Sequence, residues 1–260
     1  MPRPDAWNPA QYERFRDQRT QPFRDLLDML ALRVPSLVAD LGCGTGELTA
    51  ELHRHVQAVA TIGVDSSAAM LDHARRLHVP GLTFVDADIA AWQPPAPLNL
   101  IFSNAALHWV PEHPALLARL TAMLRAGGEL AVQMPANFDH ASHALAAQVV
   151  GEPPFVEALA GYVRQVPVLA PEAYADLLHE LGFAAQNVRL QVYGHLLEST
   201  AAVVEWVKGS LLTDYAVRMP DAVYVRFVDR YRERLLDVLG DRRPYFYAFK
   251  RILMWGRLSS

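Results

Sequence analysis

The pattern of apolar and polar positions in the first half of the chain alternates between short apolar runs and stretches with helical spacing. The apolar runs predict strands at Val38–Leu41, Thr61–Val64, Thr83–Val85, Leu98–Phe102 and Glu129–Met134. The spaced stretches predict helices at Pro9–Arg33, at Glu47–His55, from a cap at Ser66 or Ser67 to Leu77, and at Ala115–Leu124, with Ala126-Gly127-Gly128 as a break after the last. This alternation predicts a parallel sheet covered on both faces.

The second half of the chain has a different pattern, with longer helical stretches between two further strands. Helices are predicted at Ala144–Val150, Glu172–Leu181, Ala201–Leu212 and Ala222–Leu239, and strands at Asn187–Leu196 and Tyr245–Trp255. Two strands added to a parallel sheet in this way are typical of an antiparallel edge. The helical insertion between them is too long for a simple connection and predicts a functional element.

A glycine turn follows the first predicted strand, in the segment VADLGCGTGELTA. Gly42, Gly44 and Gly46 allow a ligand to lie against the main chain. Ligands of open α/β sheets bind beyond the carboxyl ends of the strands, where this turn falls. Asp65 ends the second strand, and an acid there can accept hydrogen bonds from both ribose hydroxyls of an adenosine.

The spacing of the glycines does not fit a nicotinamide dinucleotide. The pattern G-x-G-x-x-G fails from Gly42, where Glu47 takes the last position, and from Gly44, where Thr49 does. Asp40 and Glu47 would also repel a diphosphate. A cationic adenosine ligand fits these acids better, and S-adenosylmethionine carries a sulfonium and an ammonium without a phosphate. A nicotinamide oxidoreductase is therefore the weaker hypothesis.

Four segments in this order resemble the motifs of class I S-adenosylmethionine-dependent methyltransferases. They are Asp40–Gly46, Ile62–Leu71, Phe84–Ile89 and Leu98–Val110. The resemblance implies an α/β, Rossmann-like methyltransferase fold with a mostly parallel seven-stranded sheet, an antiparallel last strand and a helical lid. It also implies that the cofactor is held by Asp40, Gly42, Gly44, Gly46, Asp65, Ser66, Asp88, Ile89 and Asn104.

Over nearly its full length the chain resembles the trans-aconitate 2-methyltransferases. The matching segments are Trp7–Pro22, Ala131–Phe138, Glu205–Leu212 and Ala248–Met254. The resemblance implies a single domain over residues 1–260, with a helical cap at 1–33 and a lid at about 197–240. It implies that a carboxylate of a small polycarboxylic acid is methylated, with substrate held by Tyr12, Arg19, Trp109, Trp206 and Arg251.

Two positions depart from that family and leave the acceptor open. Leu212 stands where the family's lid has an arginine, and His108 where relatives often carry glutamine. A buried carboxylate needs a partner, so Leu212 also allows an oxygen or carbon acceptor in a natural product, or a malonyl thioester. His108 would act as a base for such an acceptor, or would orient or pack. A non-catalytic relative serving as a partner subunit is a further hypothesis.

Composition narrows the setting of this chemistry. The 260 residues are 52% hydrophobic, which is ordinary for a globular protein. Their formal net charge of −4 argues against nucleic-acid binding, which favours a basic domain. The lone Cys43 predicts a reducing compartment and no redox role. The N-terminus lacks a secretory core and no apolar run would span a bilayer, so we expect a cytoplasmic monomer or homodimer away from membranes. The histidine spacings predict no metal site.

Overall fold

The structure, a computed structural model, describes residues 16–162 and 164–260. Its strands are β1 (Leu37–Leu41), β2 (Ala60–Asp65), β3 (Leu82–Asp86), β4 (Leu98–Asn104), β5 (Leu124–Pro135), β6 (Phe183–Leu197) and β7 (Tyr245–Leu258). Its helices are α1 (Arg16–Leu27), α2 (Glu47–Val56), α3 (Ala68–Ala74), α4 (His113–Ala122), α5 (Ala141–Val150), α6 (Phe155–Ala158), α7 (Pro171–Glu180), α8 (Ala202–Lys208), α9 (Thr213–Ala216) and α10 (Asp221–Leu239). A 3₁₀ turn covers Leu107–Trp109.

The seven strands form one sheet in the order β3-β2-β1-β4-β5-β7-β6. Neighbours from β3 to β5 run parallel, whereas β5 and β7 run antiparallel. The predicted fold class is confirmed. The chain proceeds from β1 to one side of the sheet and returns on the other side as β4, so the order reverses between these two strands. Their carboxyl ends are where a sheet of this kind binds its ligand.

Helix α1 ends earlier than its apolar spacing predicts. We expected it to reach Arg33, but α1 ends at Leu27. The backbone N–H of Ala31 donates to the carboxylate of Glu129 on β5 (3.1 Å) instead of continuing the helix. A tertiary hydrogen bond to a buried acid therefore overrides the local periodicity.

The fifth strand is longer than predicted, because its glycines bend the strand without ending it. β5 begins at Leu124 and passes through Gly127 and Gly128. Its register with β4 shifts between Leu98 and Leu100, and Gly127 has a φ of +70°. A bulge takes up the extra residues, which side chains at these positions would hinder.

The single helix predicted over 201–212 is wrong, because the structure has a shorter helix that ends before Gly209. The structure has α8, then a break at Gly209, then the short α9. The ends of the other predicted elements differ from those observed by a few residues.

The described chain divides into two compact units. A sheet unit consists of Asp17–Ala136, Val166–Gln191 and Arg251–Ser260, and a helical unit contains Asn137–Gln165 and Val192–Lys250. The expected lid at about 197–240 falls inside the helical unit, which is larger than that insertion. Each unit has its own apolar core: in the sheet unit it includes Leu41 and Ile101, and in the helical unit Val207 and Phe227.

The ring of Phe84 on β3 fills space that two glycines leave in the sheet unit. A Cβ atom on Gly63 of β2 would lie 2.6 Å from Cδ1 of this ring. A Cβ on Gly46, at the end of the turn after β1, would lie 2.6 Å from Cζ. The absence of both side chains therefore lets one aromatic ring pack over β2 and the turn.

A buried pair, His113 and Tyr174, joins the start of α4 to α7. The Tyr174 hydroxyl accepts from the backbone N–H of Leu169 (3.1 Å) and contacts Nδ1 of His113. The other ring nitrogen, Nε2, donates to the carbonyl of Leu107 (3.0 Å). Since Nε2 carries the proton, Tyr174 donates to Nδ1 of a neutral ring. Burial lowers the pKa of His113, which agrees with this neutral form.

Replacing Tyr174 with phenylalanine should destabilise the sheet unit. The change leaves Nδ1 of His113 and the N–H of Leu169 without this partner, so we expect the free energy of unfolding to fall by about 1–3 kcal/mol. Urea denaturation followed by circular dichroism measures the change. Tyr224→Phe is the matched control, because its hydroxyl makes no hydrogen bond within the described residues. Equal losses in both variants would contradict the hydrogen-bonding role.

Candidate active site

The glycine turn after β1 is fixed by hydrogen bonds to β2 and by a close approach to the loop after β4. The N–H groups of Gly42 and Cys43 both donate to the carbonyl of Val64, at 2.7 and 3.1 Å. Gly42 has a φ of +81°, and a Cβ there would lie 2.1 Å from the Cβ of Ala106. Both its backbone angle and its neighbour therefore require glycine.

Asp40 lies on β1 just before this turn and is almost completely buried. Its Oδ2 accepts from the hydroxyl of Thr49 in the first turns of α2 (2.6 Å). Burial raises the pKa of Asp40 to about 7; the Thr49 hydrogen bond opposes this rise, and the charge of Asp65 adds to it. A cation close to this carboxyl would favour its ionised form.

Asp65 ends β2, and backbone donors fix both of its carboxylate oxygens. Oδ2 accepts from the N–H of Gly44 and Oδ1 from that of Ser67, each at 2.9 Å. Carboxylate oxygens can accept hydrogen bonds from ligand hydroxyls as well as from backbone donors. Of the two serines, Ser67 caps α3 through its bond with Met70 N (3.2 Å), whereas Ser66 is exposed beside Asp65.

These donors and acceptors fit S-adenosylmethionine. The glycines of the turn allow close access to the main chain, and the side chains of Asp40, just before the turn, and Asp65, bonded to Gly44, are both acidic. A sulfonium and an ammonium are compatible with such acids, whereas a diphosphate would be repelled. The two aspartates are the residues that would hold the cofactor's charged end and its ribose.

The loop after β3 holds Asp88 and Ile89 at the same edge. Asp88 is exposed, and its Oδ1 accepts from the N–H of Ala90 (2.8 Å). The side chain of Ile89 lies 3.8 Å from a Cβ placed on Gly42, so it borders the turn. Arg119 of α4 secures this loop by contacting the carbonyl of Ile89 and donating to that of Trp92 (2.8 Å).

The 3₁₀ turn after β4 carries His108 and Trp109, whose ring centroids lie 4.9 Å apart. His108 is only 7% exposed, so most of its surface packs against protein. The carbonyl of Leu107, in the same turn, is the group that His113 holds. The pair of His113 and Tyr174 therefore fixes the segment that presents both aromatic side chains.

Asn104 and Arg251, predicted from different motifs, are connected through a third side chain. Gln133 on β5 donates from Nε2 to Oδ1 of Asn104 (2.7 Å) and accepts at Oε1 from Nη1 of Arg251 (2.9 Å). The side chain of Arg251 is buried on β7. Gln133 therefore connects a residue predicted to bind the cofactor, Asn104, with one predicted to bind the substrate, Arg251.

Trp206 lies in the helical unit, within a buried aromatic cluster. Its ring centroid is 4.7 Å from that of His195, 5.7 Å from Tyr247 and 5.8 Å from Phe249. The indole is 2% exposed, so it mainly packs in the core of that unit. Next to this cluster, the buried hydroxyl of Ser142 contacts Tyr247 at 2.9 Å.

Leu212, which prompted the alternative acceptors, is completely buried in the apolar core of the helical unit. Its side chain belongs to that core, together with Val207 and Tyr215. The structure therefore places Leu212 in the apolar packing of this unit.

Two of the predicted substrate residues are not placed by the structure. Tyr12 lies outside the described residues, and Arg19 falls on α1 with its side chain outside them. Within the described part, no group of three or more histidine, cysteine or acidic side chains is arranged to hold a metal ion. The described helices also include none with the length and apolarity needed to cross a bilayer.

Sequence reasoning missed Thr49, Arg119 and Gln133. Thr49 and Arg119 occupy ordinary helix positions, so no local signal distinguishes them. Gln133 did carry a signal, because it is a polar residue inside the otherwise apolar strand segment AVQM. A buried polar group of this kind needs partners, and those partners are Asn104 and Arg251.

The chain is similar to known methyltransferases in sequence and in fold. A family model described as a methyltransferase domain matches residues 38–128. A trans-aconitate 2-methyltransferase of Deinococcus radiodurans is 44% identical over 254 residues, covering 95% of this chain and 96% of that protein. One from Paracidovorax citrulli is 41% identical and covers 98% and 99%.

Solved structures share the fold at low sequence identity. The YcgJ protein of Bacillus subtilis has a TM-score of 0.59 at 13% identity, covering 93% of this chain and 99% of that one. A phosphoethanolamine N-methyltransferase of Haemonchus contortus, solved with S-adenosyl-L-methionine, has a TM-score of 0.56 at 16% identity, covering 93% and 53%.

The fold, the glycine turn and these relatives together define an S-adenosylmethionine-dependent methyltransferase. Within that class, the near full-length identity places the chain more narrowly. It belongs to the trans-aconitate 2-methyltransferase family.

Adding a methyl group at Gly42 should disrupt the turn. In Gly42→Ala the new Cβ would overlap the Cβ of Ala106, and we expect a loss of more than about 2 kcal/mol in the free energy of unfolding. Gly44→Ala is the matched control: Gly44 also has positive φ, but no heavy atom lies within 4 Å of its built Cβ, so only about 1 kcal/mol should be lost. Thermal and urea denaturation of both variants measure this. A larger loss at Gly44 would refute the steric explanation.

The buried Asp40 should give the stability of the protein a specific pH dependence. Its pKa is about 7 in the folded protein and near 3.8 when unfolded, so the folded state binds the extra proton between these values. The free energy of unfolding should therefore fall as pH rises from about 4 to about 7 through this group. Asp40→Asn removes the effect and should flatten that slope. Urea denaturation across this range tests it, and a slope unchanged in the variant would contradict the assignment.

Proposed function

We propose that this protein transfers a methyl group from S-adenosylmethionine to a carboxylate of a small polycarboxylic acid, with trans-aconitate as the first candidate. The observation that carries the proposal is the 44% identity to a trans-aconitate 2-methyltransferase over 95% of this chain. That identity extends beyond residues 38–128, the part that the methyltransferase-domain model matches. Conservation confined to those residues would support only the cofactor, whereas the wider match also supports the acceptor.

Methyl transfer to a carboxylate does not require a general acid or a general base. A carboxylate is already ionised at neutral pH, so it attacks without prior loss of a proton. The bound cofactor supplies an electrophilic methyl group on its sulfonium. The protein contributes position: the glycine turn, Asp40 and Asp65 hold one reactant, and alignment with water excluded accounts for most of the rate. Asp88, Ile89 and Asn104 complete the proposed cofactor contacts.

A cation supports recognition of the acceptor. The buried guanidinium of Arg251 provides the charge and donors that a desolvated carboxylate requires. Trp109, Trp206, Tyr12 and Arg19 are the other proposed substrate residues. With a carboxylate acceptor His108 orients or donates, and only a hydroxyl or carbon acceptor would make it a base.

The cellular setting is part of the same proposal. A small acid as substrate fits a cytoplasmic enzyme acting as a monomer or homodimer, without nucleic acid. The lone cysteine, Cys43, is compatible with a reducing compartment.

A transfer assay with labelled S-adenosylmethionine and purified full-length protein tests the activity. It offers trans-aconitate, cis-aconitate, citrate, isocitrate and malonyl thioesters in parallel. We expect base-labile label on trans-aconitate, because methyl esters hydrolyse in base. Transfer only to a thioester, or cofactor binding without transfer to any of these acids, would refute the proposed substrate class.

The role of Arg251 can be tested by kinetics. Arg251→Met keeps the length of the side chain but removes its charge, so we expect KM for trans-aconitate to rise about 10- to 100-fold. The dissociation constant for S-adenosylhomocysteine, measured by calorimetry, should change far less, because Arg251 reaches the proposed cofactor contact Asn104 only through Gln133. Arg257→Met is the control, because Arg257 lies on the same strand and is exposed. An unchanged KM in Arg251→Met would remove Arg251 from the acceptor site.

A further inference from the structure

Gln133 connects three adjacent strands at the ligand-binding edge of the sheet unit. It is 1% exposed on β5, with Asn104 on one side in β4 and Arg251 on the other in β7. Its side chain donates to Oδ1 of Asn104 (2.7 Å) and accepts from Nη1 of Arg251 (2.9 Å). None of the sequence motifs assigned it a role.

The direction of these hydrogen bonds is determined by chemistry. A guanidinium has donors only, so Gln133 must present its oxygen to Arg251. The amide nitrogen of Gln133 then faces Asn104, so Asn104 accepts this hydrogen bond through its side-chain oxygen. The Nδ2 donors of Asn104 are therefore turned away from Gln133. The orientation of a side-chain amide often has to be inferred from its hydrogen-bond partners. Here Arg251 determines the orientation of Gln133, and Gln133 in turn determines that of Asn104.

The main chain of Gln133 holds the neighbouring loop as well. Its carbonyl accepts from the N–H of Ala105 (2.8 Å), the first residue after β4. Ala105 has a φ of +56° and leads to Ala106, which lies against Gly42. One residue therefore anchors both Asn104 and the loop that contacts the glycine turn.

We infer that Gln133 is a positioning residue: it orients Arg251 as a hydrogen-bond donor for an anionic acceptor and fixes the amide of Asn104, a proposed cofactor contact. The inference rests on the proposed function, because it requires a carboxylate acceptor. A neutral amide suits this task, since it orients the guanidinium without cancelling its charge. A carboxylate at position 133 would orient Arg251 equally well but would neutralise it. It would also present only oxygens to Asn104, which would turn its amide over.

The variant Gln133→Glu separates these effects with almost no change in shape. We expect KM for trans-aconitate to rise about 10- to 100-fold, the range for losing hydrogen bonds to a charged group. The thermal midpoint serves as the check on folding, and the S-adenosylhomocysteine dissociation constant reports separately on the reoriented amide of Asn104. Gln186→Glu is the matched control, because the same substitution then falls on an exposed side chain. It should leave KM unchanged.

A double-mutant cycle distinguishes positioning from general packing. If Gln133 acts through Arg251, Gln133→Glu should raise KM by less than about threefold in an Arg251→Met background. A full additional rise in that background would overturn the inference while leaving the proposed function intact. An unchanged KM in Gln133→Glu alone would overturn it as well.

A second readout does not depend on the acceptor. In nitrogen-15 spectra of the full chain, Gln133→Met should shift the side-chain signals of both Asn104 and Arg251, because both lose their hydrogen-bond partner. If the wild type transfers no methyl group to trans-aconitate, the proposed function fails and these spectra still judge the network. Signals that remain in place for either residue would overturn the inference.

Discussion

The close approach between the loops that follow β1 and β4 is the constraint on which the ligand-binding edge depends. Gly42 and Ala106 leave no room for a further methyl group between them. The turn is also tied to β2 through Val64, and Asp65 binds the N–H of Gly44. The backbone that must accept a ligand is therefore held by contacts within the protein, and the carboxylate of Asp65 is fixed beside it.

The charges along this edge are divided between its two sides. Asp40 and Asp65 lie on β1 and β2, whereas the guanidinium of Arg251 lies on β7. A cationic methyl donor and an anionic acceptor are the reactants that such a division suits. As the methyl group moves, both reactants lose charge, so the protein needs to hold opposite charges near each other only until transfer occurs.

The sequence was sufficient for the parts of this arrangement that depend on local spacing. The glycine turn, the acid ending β2 and the parallel strands were all predictable, because each leaves a short signature. The end of α1 was not, since it depends on a contact between Ala31 and the distant Glu129. The partners of Gln133 were likewise hidden, because they come from strands brought together only by the sheet order.

The ring of Phe84, which occupies the space left by Gly46 and Gly63, has a consequence for substitutions at all three positions. A side chain gained at either glycine would meet the ring, and a smaller residue at position 84 would leave a void over both. The side chains that fit at positions 46, 63 and 84 therefore depend on one another. A substitution at any one of them therefore changes the packing at the other two.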